Sequence, residues 1–495
     1  PTGLEFTFPK GGGLKAERDA TDDNRRVIRD STVENWVPYY VLEEADGDTI
    51  TEGALLPCDK AHFPPEFSGL QMLSVLTIDG EGSLNVADAV GVLAGGETVY
   101  ASTDSLYVAT QRWVDWEEAD DSDTVGITTQ IHQFDITDPS QATYVASGEV
   151  TGFLLNQFAM SEHEGYLRVA STTRPTWWDN GGGTSESMVT VLKPENGVLD
   201  EVGRVDGLGN GEQIFAVRML GDLGYVVTFR QTDPLYVIDL SNPANPTVAG
   251  DLKILGYSAY LHPLGDGLLL GVGQDATEEG RTLGTQVSVF DVSDPNNPKR
   301  LHQFTLSDAY SDVEYDHRAF LQWGDLVVIP IQKWSWDETA DKEDFFAGAL
   351  VLRISDDGIE EVGRVLHTPE FGDSVDTGEP MPWTPPIRRS LVAGDVLYTL
   401  SEIGVQGNAL SDLDTTGFAG FGFFDRPFPP DVISDDFPIE EGLFDQFPVE
   451  GNLGEWIDDL LPGLELADDL ALEDFGFVVD EVLGSIVEEL TPAVP

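Results

Sequence analysis

The sequence predicts an all-β fold built from four-stranded antiparallel repeats, and three observations carry that expectation. The phrase VIDLSNPANP at 237–246 returns 52 residues later as VFDVSDPNNP, and a weaker copy, QFDITDPSQA, stands at 133–142. A fixed period of this size marks stacked or radial repeat units. From Glu212 to Leu255 the runs EQIFAVRML, LGYVVTFRQ, PLYVIDLS and TVAGDLKIL are four β-rich segments separated by turn signals. Four antiparallel strands in about 45 residues make one blade of a β-propeller.

The blades are placed by two landmarks. The turn between the first two strands carries Gly-Asp at Gly221-Asp222, repeated in LGDGLLLGV (264–272), WGDLVVIPI (323–331) and AGDVLYTL (393–400), with looser forms at 103–110 and 163–170. The third-strand phrase recurs at 75–82, 133–140, 189–197, 237–246, 289–298 and 350–358. Six copies of each interleave out of phase. The expectation is therefore six detectable blade repeats over 41–413, five whole blades between two half-blades. Pairing of the two half-blades would close the ring and remove free sheet edges. Seven or eight blades follow if an upstream segment completes the ring.

Residues 1–40 read as an N-terminal extension, a short alternating strand and flexible linker followed by a charged stretch. Residues 414–495 read as an acidic, Phe/Pro-rich extension whose lone basic residue is Arg426. One or two short helices are expected there, the last amphipathic. Phe475, Val479, Val482, Ile486 and Leu490 form its apolar stripe, opposite Asp474, Glu481 and Glu488.

Composition bounds the setting. The chain of 495 residues carries 26 Lys+Arg against 89 Asp+Glu, a formal net charge of −63, while 41% of its residues are hydrophobic. That is ample for a packed core. Self-repulsion of this size is relieved when salt at about 1 M shortens the screening length to roughly 3 Å, so a halophilic setting is expected. The excess of acids argues against nucleic acid as a partner. The single cysteine, Cys58, excludes an intrachain disulfide, and no run of 18 apolar residues offers a transmembrane segment. Because the chain starts at Pro1, it is expected to be processed from a longer precursor.

The stretch GEQIFAVRMLGDLGYVVTFRQTDPLYVIDLSNPANPTVAGDLKILGYSAYLHPLGDGLLLGVGQD (211–275) resembles secreted archaeal and bacterial proteins with a C-terminal β-propeller domain, distantly like the WD40 propellers. TVYASTDSLYVA (98–109), ASGEVTGFLLNQFAM (146–160) and YSDVEYDHRAFL (310–321) are similar to the same family, so the resemblance spans about 70–413. It implies a propeller and an extracellular or cell-surface location, and it carries over no catalytic or binding residue.

Three groups of residues are candidates for chemistry. Long loops between second and third strands carry Trp113, Trp116, Trp177, Trp178, Trp334 and Trp336 beside acids. Such indoles stack on sugar rings or on a partner, or else pack their loops onto the ring. Asp120, Asp121 and Asp123 offer hard oxygens suited to Ca²⁺, without EF-hand spacing. Otherwise no cofactor is expected. Asn156, Gln157, Arg218, His262, Asp316, His317, Arg318 and Arg388 fall on expected innermost strands, where they would line a central channel. HExxH, GxSxG and CxxC are absent from the sequence.

The functional expectation is a non-catalytic extracellular or cell-surface propeller of a halophilic microbe. It would act as an interaction or assembly module, with a protein partner or self-assembly through the terminal extensions into a homo-oligomeric surface structure or filament. The alternative is a glycan-binding or glycan-processing enzyme that uses the tryptophan and acid face. In both, Asp239, Ser241, Pro243 and Pro246 of the repeated phrase are expected to serve as the hinge between a blade's third and fourth strands, in preference to a ligand role for Asp239 and Asn245.

Overall fold

In a computed structural model, residues 3–11, 13–43, 49–78, 89–113, 127–173, 185–229, 233–337, 342–367 and 385–421 are described. The chain is mostly β, with six four-stranded antiparallel units in sequence order, here called sheets I to VI, of which I and II are joined by one parallel pair, Ser147 with Val198. Sheet I comprises Thr98–Ala101, Ser105–Trp113, Ile127–Asp135 and Thr143–Thr151; sheet II comprises Met160–His163, Tyr166–Thr172, Ser187–Glu195 and Val198–Leu208. Sheet III runs through Gln213–Leu220, Leu223–Phe229, Asp233–Asp239 and Thr247–Ile254; sheet IV through Tyr257–Gly265, Leu268–Ala276, Thr282–Asp291 and Lys299–Ser307. In sheet V the first strand is split into Ala309–Tyr310 and Leu321–Trp323, followed by Leu326–Asp337, Lys342–Ser355 and Gly358–Val365. Sheet VI is Ile387–Ala393, Val396–Ser401, Gly404–Ala409 and Thr415–Gly420.

Each sheet exists because its middle strands alternate large apolar side chains toward both neighbours. Shared cores then fill the spaces between successive sheets. Leu270, Val289, Ile329 and Leu350 join sheets IV and V, and Tyr225, Val237, Leu261 and Phe290 join III and IV. Val328, Val351, Ile387 and Leu397 join V and VI. The first-to-second turns are tight because Gly221, Gly324 and Gly394 adopt a left-handed φ of 55 to 61° that a side chain would oppose.

The repeated phrase is turn chemistry. The Asp239 carboxylate accepts from the Ser241 N–H (2.9 Å), and Asp291 accepts from the Ser293 N–H (3.0 Å) and hydroxyl (2.6 Å). Asp135 does the same for Thr137 in sheet I. Hydrogen bonds to the ionised carboxylate hold all three below the ordinary aspartate range. Replacing Asp239 by Ala is expected to cost about 1 kcal/mol or less in urea unfolding, the value of one such solvent-screened bond set, and Asn should recover most of it.

What those turns hold is the next joint in the series. In every one of the six sheets the fourth strand bulges at the same register: Val145, Val202, Ala249, Leu301, Val362 and Thr416 are the extra residues. The residue after the bulge is Gly203 in II, Gly250 in III, His302 in IV, Gly363 in V and Gly417 in VI. A methyl group built on Gly250 would lie 2.5 Å from the Pro295 carbonyl oxygen and 2.9 Å from the Asn296 carbonyl carbon of the following sheet's turn. One on Gly203 would collide with the carbonyl of Pro243, and one on Gly363 would lie 2.8 Å from Leu413. In sheet IV, His302 instead meets the Asp356 carbonyl of sheet V through Nε2 (3.1 Å). The position after the bulge is thus the seat for the neighbouring turn.

Two expectations about the ends need correction. The sixth unit is not a half-blade ending at 413. Residues 404–420 supply its third and fourth strands, in the stretch GVQGNALSDLDTTGFAG, whose turn lacks the prolines of the copies at 133–142, 237–246 and 289–298. Among the described residues the N-terminal half-blade does not pair with it either. Met72–Leu76, Ala89–Leu93 and Ala61–His62 form a separate three-stranded sheet, ordered with Ala89–Leu93 in the middle. Val90, Val92 and Ala94 join that sheet to sheet I through Val108, Phe134 and Ala142, and among the described residues no core cluster joins it to sheet VI.

The N-terminal extension holds a helix, α1 (Leu14–Asp30), where a linker and a charged stretch were expected. Only Ala20 is buried on it, so apolar periodicity gave no warning. Its turns are supported by i,i+3 pairs such as Arg25 with Asp22 (3.5 Å), and Asn24 ties it to Thr7 by two hydrogen bonds. A second hairpin pairs Tyr39–Glu43 with Thr49–Ala54. The expected C-terminal helices lie outside the described residues.

Candidate functional site

The first strands of sheets II to VI are irregular near one level, and this irregularity builds the site. In sheets III, IV and VI the strand bulges at Phe215, Ala259 and Arg388. In sheets II and V the chain instead makes 3-10 turns, 157–159 before Met160–His163, and 312–314 and 317–319 within the split first strand. Bulges and turns of this kind re-aim side chains that a regular strand would alternate between faces. Asn156, Gln157, Asp316, His317 and Arg318 therefore sit on turns, not on the strands where the sequence reading put them.

The turns 157–159 and 317–319 are built alike. Asn156 caps the first by accepting from the Phe158 N–H (3.0 Å), and Asp316 caps the second by accepting from the Arg318 N–H (3.0 Å). Ala159 and Ala319 occupy the same place in each and are buried. The two turns meet. Gln157 Nε2 lies 3.2 Å from His317 Nε2, and the Phe158 ring is edge-on to His317 at 4.9 Å. Residues 160 positions apart, from sheets three apart, are in direct contact.

Around that contact the other expected residues gather. Arg218 of sheet III lies over the Phe158 ring, its guanidinium carbon 4.5 Å from the centroid. His262 of sheet IV donates from Nε2 to Gln322 Oε1 (2.8 Å) and accepts at Nδ1 from the Tyr260 hydroxyl (3.0 Å). Phe320 packs 4.6 Å from His262 and 5.1 Å from Tyr260. Asp316 is held between Arg389 (2.7 Å) and Arg318 (3.3 Å), and Asp312 pairs with Arg388 (2.9 Å). All eight polar residues expected at the centre are thus in one neighbourhood, whereas Phe158, Tyr260, Asp312, Phe320, Gln322 and Arg389 were missed. The parallel between Asn-Gln-Phe-Ala (156–159) and Asp-His-Arg-Ala (316–319) was the signal available.

The electrostatics follow the packing. Burial keeps His262 below the ordinary imidazole range, partly countered by Gln322 and reinforced by Arg218. Burial does the same to His317. Asp316 opposes it there, and Arg318, Arg218 and Arg389 add to it. Asp316 itself is pushed up by burial, but the Arg318 N–H and the guanidiniums of Arg389 and Arg318 outweigh that and hold it low. Glu314 is raised by burial against hydrogen bonds from Gln274, the Ser311 N–H and Tyr257.

The other candidates are mostly out of view. Trp334 is exposed at the far end of the second strand of sheet V. Trp113 and Trp336 stand on described strands, but their side chains lie outside the described residues, as do Trp116, Trp177, Trp178, Asp120, Asp121 and Asp123 altogether. Among the described residues no three His, Cys, Asp or Glu side chains converge as metal ligands, and no helix is long and apolar enough to cross a membrane. The cluster presents guanidinium and imidazole groups beside aromatic faces.

A family model described as Beta propeller domain matches residues 14–413. An uncharacterized protein of Methanocaldococcus jannaschii is 42% identical over 227 residues, 45% of this chain and 32% of that protein. One from Archaeoglobus fulgidus is 45% identical over 172 residues, 35% of this chain and 25% of that protein. The matched stretches span about a third and a quarter of those relatives' lengths. Among solved structures, the WD40 domain of Pan2 from Neurospora crassa aligns over 65% of this chain and 80% of its own at 8% identity and a TM-score of 0.32.

Proposed function

Because this chain belongs to the beta propeller domain family, we propose that it works as a propeller of six whole blades and an unfinished seventh, a non-catalytic module that binds protein partners through the unfinished one. The observation that carries this is the edge of Met72–Leu76. In sheets I to VI the third strand is flanked on both sides, whereas Met72–Leu76, in the same place by its landmark, pairs among the described residues with Ala89–Leu93 alone. It is only half-buried along its length, and Leu76, Ile78, Phe63 and Phe67 are exposed in this part of the chain. An unpaired strand edge beside apolar side chains is a template for strand addition.

The partner we propose is a second copy of the chain, giving a homo-oligomeric assembly. The charge of −63 supports a high-salt setting in which such copies approach without long-range repulsion. The resemblance to secreted propeller proteins supports an extracellular or cell-surface place for it. Light scattering after size exclusion in molar salt is expected to show an oligomer at micromolar chain concentration, weakened at least about tenfold by L76K/I78K, a change of about 1.4 kcal/mol. A wild-type chain that stays monomeric at about 100 μM overturns the reading.

A further inference from the structure

We propose that Arg218, together with Gln157 and His317, is a binding site for a carboxylate group at the centre of the propeller. In a chain with 89 acidic and 26 basic residues, a guanidinium finds a carboxylate easily. Of the arginines in this neighbourhood, Arg318 and Arg389 share Asp316, and Arg388 has Asp312 at 2.9 Å and Glu402 at 3.5 Å. Arg218 is half-buried, and among the described residues it makes neither an ion pair nor a hydrogen bond. Its guanidinium carbon lies 4.5 Å from the Phe158 ring centroid, a contact that uses the face of the group and leaves its N–H edges uncommitted among the described residues. A planar fork held this way is preorganised for a planar two-oxygen acceptor.

The surroundings complete the site. Gln157 and His317, both packed about Phe158, add an amide and an imidazole that can donate to the same ligand. One uncompensated positive charge calls for a single negative charge, so a carboxylate fits and a phosphate dianion brings excess. The charged and titratable groups facing His317 are Asp316 and Arg318 on its own turn, Arg218 from sheet III and Arg389 from sheet VI. A bound carboxylate adds a negative charge beside these cations and favours the imidazolium of His317.

The test uses the full chain at constant ionic strength, titrated with acetate, with succinate and separately with inorganic phosphate. The readouts are the Arg218 Nε and His317 ring resonances. Saturable shifts with Kd of about 10 mM or tighter are expected for the carboxylates and weaker ones for phosphate, with the apparent His317 pKa rising on carboxylate binding. Arg218→Gln should weaken carboxylate binding at least about tenfold, while Arg353→Gln, on the surface beside Asp325, leaves it unchanged. The assignment is overturned if wild-type resonances do not saturate by about 100 mM, if phosphate binds tighter, or if a folded Arg218→Gln binds as well as wild type.

Discussion

Gly250→Ala is expected to destabilise the protein by about 2–3 kcal/mol, and Gly203→Ala by a similar amount, because each methyl group is driven into backbone that cannot rotate away. The methyl on Gly250 would stand 2.5 Å from the Pro295 carbonyl oxygen, well inside van der Waals contact, and Asn296 closes the other side. The Pro243 and Ala244 backbone does the same at Gly203. Relief requires the next sheet to move outward as a body, which opens the core that Tyr225, Leu261 and Phe290 share between sheets III and IV. Gly417→Ala supplies the internal comparison. It occupies the same register in sheet VI, where nothing lies within 4 Å of the added atom, and should leave the denaturation midpoint within about 0.5 kcal/mol of wild type. Equal effects at Gly250 and Gly417 would show that the seats between sheets do not bear the packing assigned to them.

The second large effect concerns pH. His132 and His367 are fully buried, and burial lowers each to about 4 from an ordinary 6.5. His132 Nδ1 lies 2.6 Å from the Ser147 hydroxyl, which also meets the Tyr144 hydroxyl at 2.7 Å, and its Nε2 has no hydrogen-bond partner among the described residues. His367 sits between Ser401 and Thr399 at 2.7 and 2.8 Å. Both are neutral in the fold, while the unfolded chain takes up their protons once pH falls below about 6.5. Stability from these groups is therefore complete above that pH, declines as pH falls, and is fully lost by about pH 4. At 1.36 kcal/mol per unit the loss is about 3 kcal/mol for each histidine. Urea unfolding between pH 7.5 and 4.5 should show this slope, reduced by half in His132→Gln. The aspartates of the turns act only below about pH 4, so the two windows separate. Ring resonances of His132 and His367 that titrate near 6.5 would refute the assignment.

The repeats were legible because they are written in turn chemistry. Gly221-Asp222 and the phrase at 237–246 require particular backbone angles and side-chain acceptors, and only a few residue types supply them. Where a copy satisfies the same geometry with other residues, as 404–420 does, the landmark vanishes although the strands remain. Helix α1 escaped because a helix with one buried residue has no apolar period to detect. In the cluster of first-strand residues, residue type and expected strand position brought out eight polar residues that lie near one another. Their mutual contacts depend on bulges at Phe215, Ala259 and Arg388 and on two turns meeting across 160 positions, which no local pattern encodes. The neutrality of His132 and His367 is likewise set by which strands lie beside them.

The seats on the fourth strands explain how so acidic a protein can be put together at all. From sheet II to III and from III to IV, the outer contact is made by main-chain carbonyls resting on a glycine, Pro243 on Gly203 and Pro295 on Gly250. Such a contact asks nothing of the side chains around it. Lateral fit and surface chemistry become separate degrees of freedom, so the exterior can be recoloured with carboxylates, one substitution after another, while the pitch from unit to unit stays the same.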